Sequence, residues 1–151
     1  MRPPSAAEQS LPRALGFPAP LQAHLEALAC ARYPREACGL LLGRREGGHT
    51  SVVEVREARN LRASDAGRRY ELDPVGHLLA EERASAAGLE VVGVWHSHPD
   101  RPPVPSEEDL RGAWPGWSYA IVAVAAGAPD GLRAWRLEGA RFAELELRAW
   151  S

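Results

Sequence analysis

Lysine is missing from this chain: all 18 basic residues among its 151 are arginine. A GC-rich coding sequence, which favours arginine and alanine codons, accounts for that without any function. Cysteine is nearly missing too. Cys30 and Cys38 lack metal-site spacing and nothing pairs them as a disulfide; Cys38 lies in an apolar stretch, so both read as small core residues. With no disulfide framework in view, the cytoplasm is the expected compartment. Residues 1–20 carry Pro3, Pro4, Pro12, Pro18 and Pro20 but no apolar run. That argues against a signal peptide or membrane span there and leaves a flexible, proline-rich segment. Nor is there a strong excess of one charge. The formal net charge is −2 and the pI about 6.2, so neither nucleic acid nor a membrane is an expected partner. Internal repeats are absent.

What is present is the composition of one compact α/β domain. A 45% hydrophobic content over 151 residues supplies one real core and leaves no room for a second full domain. Residues 21–151 are therefore read as a single unit. Residues 21–33 read as a helix with Leu21, Leu25 and Leu28 along one face. Residues 39–44 and 51–56 read as strands joined by a Glu46-Gly47-Gly48 turn. A polar loop over 60–69 leads to a short strand at Tyr70-Glu71-Leu72. Asp73 or Pro74 opens a second helix, which Gly88 ends. A strand over 91–96, a proline-rich loop and a short helix from Ser106 follow. Three strands, near 119–125, 132–137 and 141–147, complete a mixed β-sheet flanked by helices.

One stretch carries more chemistry than the rest: His96-Ser97-His98-Pro99, followed by Ser106 and Asp109. It continues the run Val91-Val92-Gly93-Val94-Trp95, which has the apolar, β-branched character of a buried strand. Side chains alternate along a strand, so His96 and His98 project to one face. Two neutral imidazoles there can grip a zinc ion at about 2.0–2.1 Å each. Asp109 offers a third ligand and leaves the fourth tetrahedral position for water, as in catalytic rather than structural zinc. A water bound to such a zinc ionises near pH 7, which points to a metallohydrolase. The pattern has plainer readings. A His-x-His at a strand end is often a surface or core pair. Ser106-Glu107-Glu108-Asp109 is also a good helix start, with Ser106 capping an amide and an acidic side chain reaching back. Capping and catalysis are compatible, because the cap would fix the turn that carries Asp109.

The spacing of His96-Ser97-His98-Pro99, Ser106 and Asp109 matches the motif of the JAMM (MPN+) metalloproteases. The upstream segment Pro34-Arg35-Glu36-Ala37-Cys38-Gly39-Leu40-Leu41-Leu42-Gly43 matches that family's second motif. The two lie in the family's order, about sixty residues apart, and the likeness runs over residues 21–149. The chain thus resembles the small prokaryotic type of this family. The resemblance implies a cytidine-deaminase-like JAMM/MPN fold and one zinc held by His96, His98 and Asp109. It implies Glu36 as the general acid/base that carries a proton from water to the leaving amine, with Ser106 assisting the oxyanion. It also implies a substrate: a ubiquitin-like or sulfur-carrier protein of the β-grasp type, or its adducts, cut just after the Gly-Gly tail. In that setting the missing lysine has a second reading, a protein that handles modifiers and offers no attachment point.

Two related readings stay open. A RadC-like, DNA-repair-associated protein shares a similar histidine motif, but usually with Asn where this chain has Ser97. A non-catalytic MPN scaffold typically lacks the metal ligands, all of which are here. Deaminase and zincin chemistry are excluded. His98 stands where a deaminase has the glutamate of His-x-Glu, no Cys-x-x-Cys follows, and His-Glu-x-x-His does not occur. A diglycine tail would thread a channel too narrow for side chains, with residues 60–72 as one wall. Trp114 and Trp117 are candidates to line the cleft, while Trp95 is expected to pack in the core. Only residues 112–117 separate the Ser106 helix from the next strand. Enzymes of this family that read one ubiquitin linkage carry a longer insertion there, so strict linkage specificity is not expected.

Overall fold

The computed structural model describes residues 13–62 and 70–149. Its elements are β1 (Ala14–Gly16), α1 (Ala19–Arg32), β2 (Cys38–Glu46), β3 (His49–Ala58), α2 (Pro74–Ala86), β4 (Glu90–Pro99), α3 (Glu107–Arg111), β5 (Ser118–Ala125), β6 (Ala128–Glu138) and β7 (Arg141–Arg148). The strand order is β1-β3-β2-β4-β5-β6-β7, and the sheet closes on itself. The β2–β3, β2–β4, β5–β6 and β6–β7 pairs are antiparallel, and β4 pairs parallel with β5. β1 runs parallel to both β3 and β7 and joins the two ends. This is the single α/β domain with a mixed sheet that the sequence implies.

The Leu40-Leu41-Leu42 run shows why the central strands are apolar without interruption. Leu41 packs with Leu25 and Ala29 of α1, whereas Leu40 and Leu42 pack with Ala80 and Ala84 of α2. Alternating side chains thus serve two covered faces, and neither face can be polar. Trp95 is completely buried on the α1 side, as its sequence context suggests. Its indole lies across Gly39, where an added Cβ would sit 2.4 Å from Trp95 Nε1 and 1.9 Å from the Arg56 carbonyl oxygen. Only glycine permits that approach, and Trp95 Nε1 uses it to donate to the Arg56 carbonyl at 3.0 Å. The β2–β3 connection is the expected tight turn: Gly47 and Gly48 have φ of 58° and 81°, as a two-residue hairpin requires.

Two expectations need correction. The flexible segment expected at residues 1–20 does not hold for its later part, where Ala14–Gly16 forms β1 and α1 opens at Ala19. A three-residue strand is too short to show a period. Pro18 and Pro20 look like breakers, yet they sit at the N-cap and in the first turn of α1, where a missing N–H costs nothing. Residues 1–12 lie outside the described residues. The short strand at Tyr70-Glu71-Leu72 reduces to a single bridge between Asn60 and Leu72, and residues 63–69 of its loop lie outside the described residues. Cys30 and Cys38 are both free thiols. No helix among the described residues is long and apolar enough to cross a membrane.

Candidate metal centre

The two motifs meet through one strand register. β2 and β4 are antiparallel with Cys38 opposite His96, so the residues just before β2 lie beside the end of β4. Two further bonds extend this pairing: the Ser97 amide donates to the Ala37 carbonyl at 2.9 Å, and the Ala37 amide donates to Ser97 Oγ at 2.8 Å. Asn60 Nδ2 donates to the Glu36 carbonyl at 2.9 Å. Glu36 is thereby held next to the histidines although sixty residues separate them in sequence. Glu36, His96 and His98 are all buried, at 3%, 1% and 1% exposure.

Asp109 arrives from the other side, on α3. Ser106 is the N-cap: the Asp109 amide donates to Ser106 Oγ at 3.1 Å, and the Ser106 amide donates to Asp109 Oδ2 at 2.8 Å. The plain reading of this segment as a capping box is therefore correct. It also turns the Asp109 carboxylate toward the histidines. Asp109 Oδ1 lies 3.3 Å from His96 Nε2, and Oδ2 lies 3.5 Å from His98 Nε2. The two Nε2 atoms are 3.0 Å apart.

These spacings fit a tetrahedral ion. Ligand atoms about 2.0–2.1 Å from a shared zinc, at tetrahedral angles, stand about 3.3 Å from each other. The donor set is also chemically apt. His98 Nδ1 faces the Pro102 carbonyl at 2.8 Å, an acceptor only, so its proton resides on Nδ1 and the Nε2 lone pair points into the site. His96 is fixed by Tyr70, whose ring stacks on it at 4.4 Å and 21°. Glu36 offers a further oxygen: it, His96 and His98 have ligating atoms all within 4.8 Å of one another.

Electrostatics follow from burial. Burial pushes the Glu36 carboxyl up to about 7; the Arg101 guanidinium opposes this, and the nearby Asp109 charge reinforces it. Burial pushes the His96 imidazolium down, against the pull of Asp109. For Asp109, burial acts upward but is overcome by the adjacent His96 and His98 side chains and the Ser106 amide, which hold it well below the usual carboxylate range. Among the described residues, two buried side-chain polar atoms have no protein partner, and both are here: Glu36 Oε2 and His96 Nδ1. A cleft of about 810 Å³ opens over the site, lined by Glu36, Ser106 and Asp109 together with Tyr70, Leu72, Trp114 and Trp117.

All five candidates from the sequence, Glu36, His96, His98, Ser106 and Asp109, are thus brought to one place. Trp114 and Trp117 line the cleft as expected. Three contributors were not foreseen. Ser97 is fully buried and bridges to Ala37; its inward position between Trp95 and Pro99 on a buried strand was the available signal. Arg101 bonds Glu36, and its nearness to the motif was the only hint. Tyr70, expected in a loop wall, covers His96, which no local pattern announces.

Comparison with known proteins places the chain among relatives of one family. The family described as prokaryotic homologs of the JAB domain matches residues 18–138. A desampylase of Haloferax volcanii is 36% identical over 116 residues, covering 76% of this chain and 78% of its own length. A probable TtuB-protein conjugate cleaving protease of Thermus thermophilus is 34% identical over 104 residues, covering 69% of this chain and 63% of its own. The solution structure of protein DSY2949 from Desulfitobacterium hafniense matches with a TM-score of 0.78 at 29% identity, over 89% of this chain and 91% of that one. With the family's pattern spanning both motifs and most of the sheet, the chain belongs to the prokaryotic JAB-domain family.

Proposed function

We propose that this hydrolase cleaves the peptide or isopeptide bond that follows the Gly-Gly tail of a ubiquitin-like or sulfur-carrier protein. His96, His98 and Asp109 hold one zinc ion, Glu36 is the general acid/base, and Ser106 supports the oxyanion. The observation that carries this reading is the convergence of two imidazole nitrogens and a carboxylate within 3.0–3.5 Å, beside a buried glutamate oxygen with no partner. The relatives named as a desampylase and as a TtuB-protein conjugate cleaving protease direct the choice of substrate toward conjugates of small proteins. An intact ligand set speaks against a scaffold that only binds.

Zinc held there supplies a Lewis acid that lowers the pKa of water to about 7. The chain's own groups account for the remainder. Glu36 Oε2 accepts a proton as the water oxygen bonds to the scissile carbonyl carbon. It then delivers that proton to the amine nitrogen as the C–N bond breaks, leaving the carrier's carboxylic acid, which loses its proton to solvent, and a free amine. Ser106 Oγ accepts from the Asp109 amide, so its own proton is available to the carbonyl oxygen as that oxygen gains charge. Tyr70 and Leu72 wall the cleft close to the ligands, where glycine lets a backbone approach and a larger residue would collide.

The test is a fluorescent fusion of a small β-grasp carrier, cut by zinc-loaded wild type and by Glu36→Gln. The variant should keep its zinc and lose about 100–10,000-fold in turnover. Replacing either tail glycine with a bulky residue should lower kcat/KM strongly, and changing the leaving group should matter less. Equal cutting by the variant, or equal cutting of bulky tails, overturns the reading.

A further inference from the structure

Glu36 has a side chain whose last torsion has little preference of its own: the terminal sp³–sp² torsion of glutamate is broad and roughly two-fold. Its backbone is pinned by Asn60 and by the neighbouring Ala37–Ser97 bonds. Nothing in those contacts chooses which carboxylate oxygen faces the site. Arg101 makes that choice. Its Nη2 donates to Glu36 Oε1 at 2.5 Å, while Oε2 has no protein partner.

Arg101 is itself held in place. The Asp100 amide donates to the Val124 carbonyl at 2.7 Å. The Asp100 carboxylate accepts from the Ala126 amide at 2.9 Å and from the Tyr33 hydroxyl at 2.5 Å. On the other side, the Pro102 carbonyl accepts from His98 Nδ1 at 2.8 Å. Arg101 also precedes a proline, which narrows its backbone to extended conformations. The loop is therefore anchored on both flanks of a guanidinium that points inward, and its side chain is 31% exposed against 1% for Glu36. Adjacent residues of one loop set two properties of the site: Pro102 sets the tautomer of His98, and Arg101 sets the orientation of Glu36.

We infer that Arg101 is a positioning residue for hydrolysis: its guanidinium holds Glu36 through Oε1 so that Oε2 is the oxygen that moves the proton. This rests on the reading of Glu36 as acid/base. Arg101 acts through Glu36 and makes no bond to His96, His98 or Asp109 among those described.

The experiment is a double-mutant cycle on the zinc-loaded full chain with the fluorescent carrier fusion, using wild type, R101A, E36Q and R101A/E36Q, with zinc stoichiometry measured for each. R101A should lower kcat on the order of 100-fold, as small misplacements of a catalytic group do, with KM and zinc content close to wild type. Added guanidinium ion should restore part of kcat to R101A. R101K should recover part as well, because lysine replaces the charge but not the planar fork. In the E36Q background R101A should cost nothing further, the non-additivity of residues acting as one unit. If R101A melts early, R101K carries the same comparison. A wild-type or raised kcat in R101A, a loss that resides in KM, or full additivity with E36Q each overturns the inference. The E36Q arm separates the failures. A slow E36Q with a normal R101A removes only the role of Arg101, whereas an E36Q as fast as wild type removes the acid/base reading and this one with it.

Discussion

Replacing Ser97 with alanine probes how the two motifs are joined. Ser97 is fully buried, and its hydroxyl is the acceptor for the Ala37 amide at 2.8 Å. Removing the oxygen leaves that amide buried without a partner, at a cost of about 1–3 kcal/mol. In a domain of this size each kcal/mol moves the melting temperature by about 2–4 °C. Ser97→Ala should therefore melt roughly 2–12 °C lower than wild type. The Ser97 amide still donates to the Ala37 carbonyl at 2.9 Å, so Glu36 stays near the site but on a looser tether. The kinetic consequence should be a kcat loss well short of that for Glu36→Gln, with zinc retained. Thermal melts of the zinc-loaded chain, paired with turnover of the carrier fusion, measure both. Ser85→Ala, at an exposed helix position, is the control. If Ser97→Ala melts with wild type, the Ser97–Ala37 bridge does not hold the motifs together.

Two other perturbations follow from the geometry. Changing His96, His98 or Asp109 to alanine should abolish zinc retention in a chain that still folds; elemental analysis after reconstitution checks this, and full occupancy in any of the three removes that residue from the ligand set. On the surface, hydrogen bonds from Arg83 and Arg56 outweigh burial and hold the Glu54 carboxyl below its ordinary 4.5. A carboxyl depressed in the folded state contributes stability that is complete above the unfolded value and is lost as pH falls through the folded one. The stability gap between wild type and Glu54→Gln should thus narrow as pH drops below roughly 4.5, and a gap that stays constant in denaturant titrations across that range would be the contrary result.

Much of the site was legible because its chemistry sits in short, spaced motifs. Alternation alone places His96 and His98 on one face, and the Ser106-to-Asp109 spacing alone writes a helix cap. What local patterns could not supply is the long-range register. That Glu36 meets the histidines depends on Cys38 lying opposite His96, and on Gly39 being small enough to admit the Trp95 indole. Arg101 escaped notice because an arginine in a proline-rich loop reads as solvated; its partner is sixty-five residues away. In the fold, long strands such as β2 and β5 declared themselves by composition. β1 did not, because three residues carry no period and its stability comes from pairing on both sides, with β3 and β7.

The weakest of these placements is also the one the proposed metal site needs. α3 is five residues long and buries none of them, too short to persist by its own propensity. The reciprocal Ser106–Asp109 cap supplies its first turn, and the contacts of Asp109 with His96 and His98 tie it to the end of β4. β4 is the opposite case, a central strand between β2 and β5. A cation shared by His96, His98 and Asp109 would therefore join a central strand of the sheet to this short helix. Any ligand that binds the folded state and not the unfolded one stabilises it in proportion to its affinity. Here that stabilisation would act across the junction that carries Ser106. A capping box and a metal site are not competing explanations of the same residues: the cap gives Asp109 its direction, and a bound ion would give the capped turn a reason to stay.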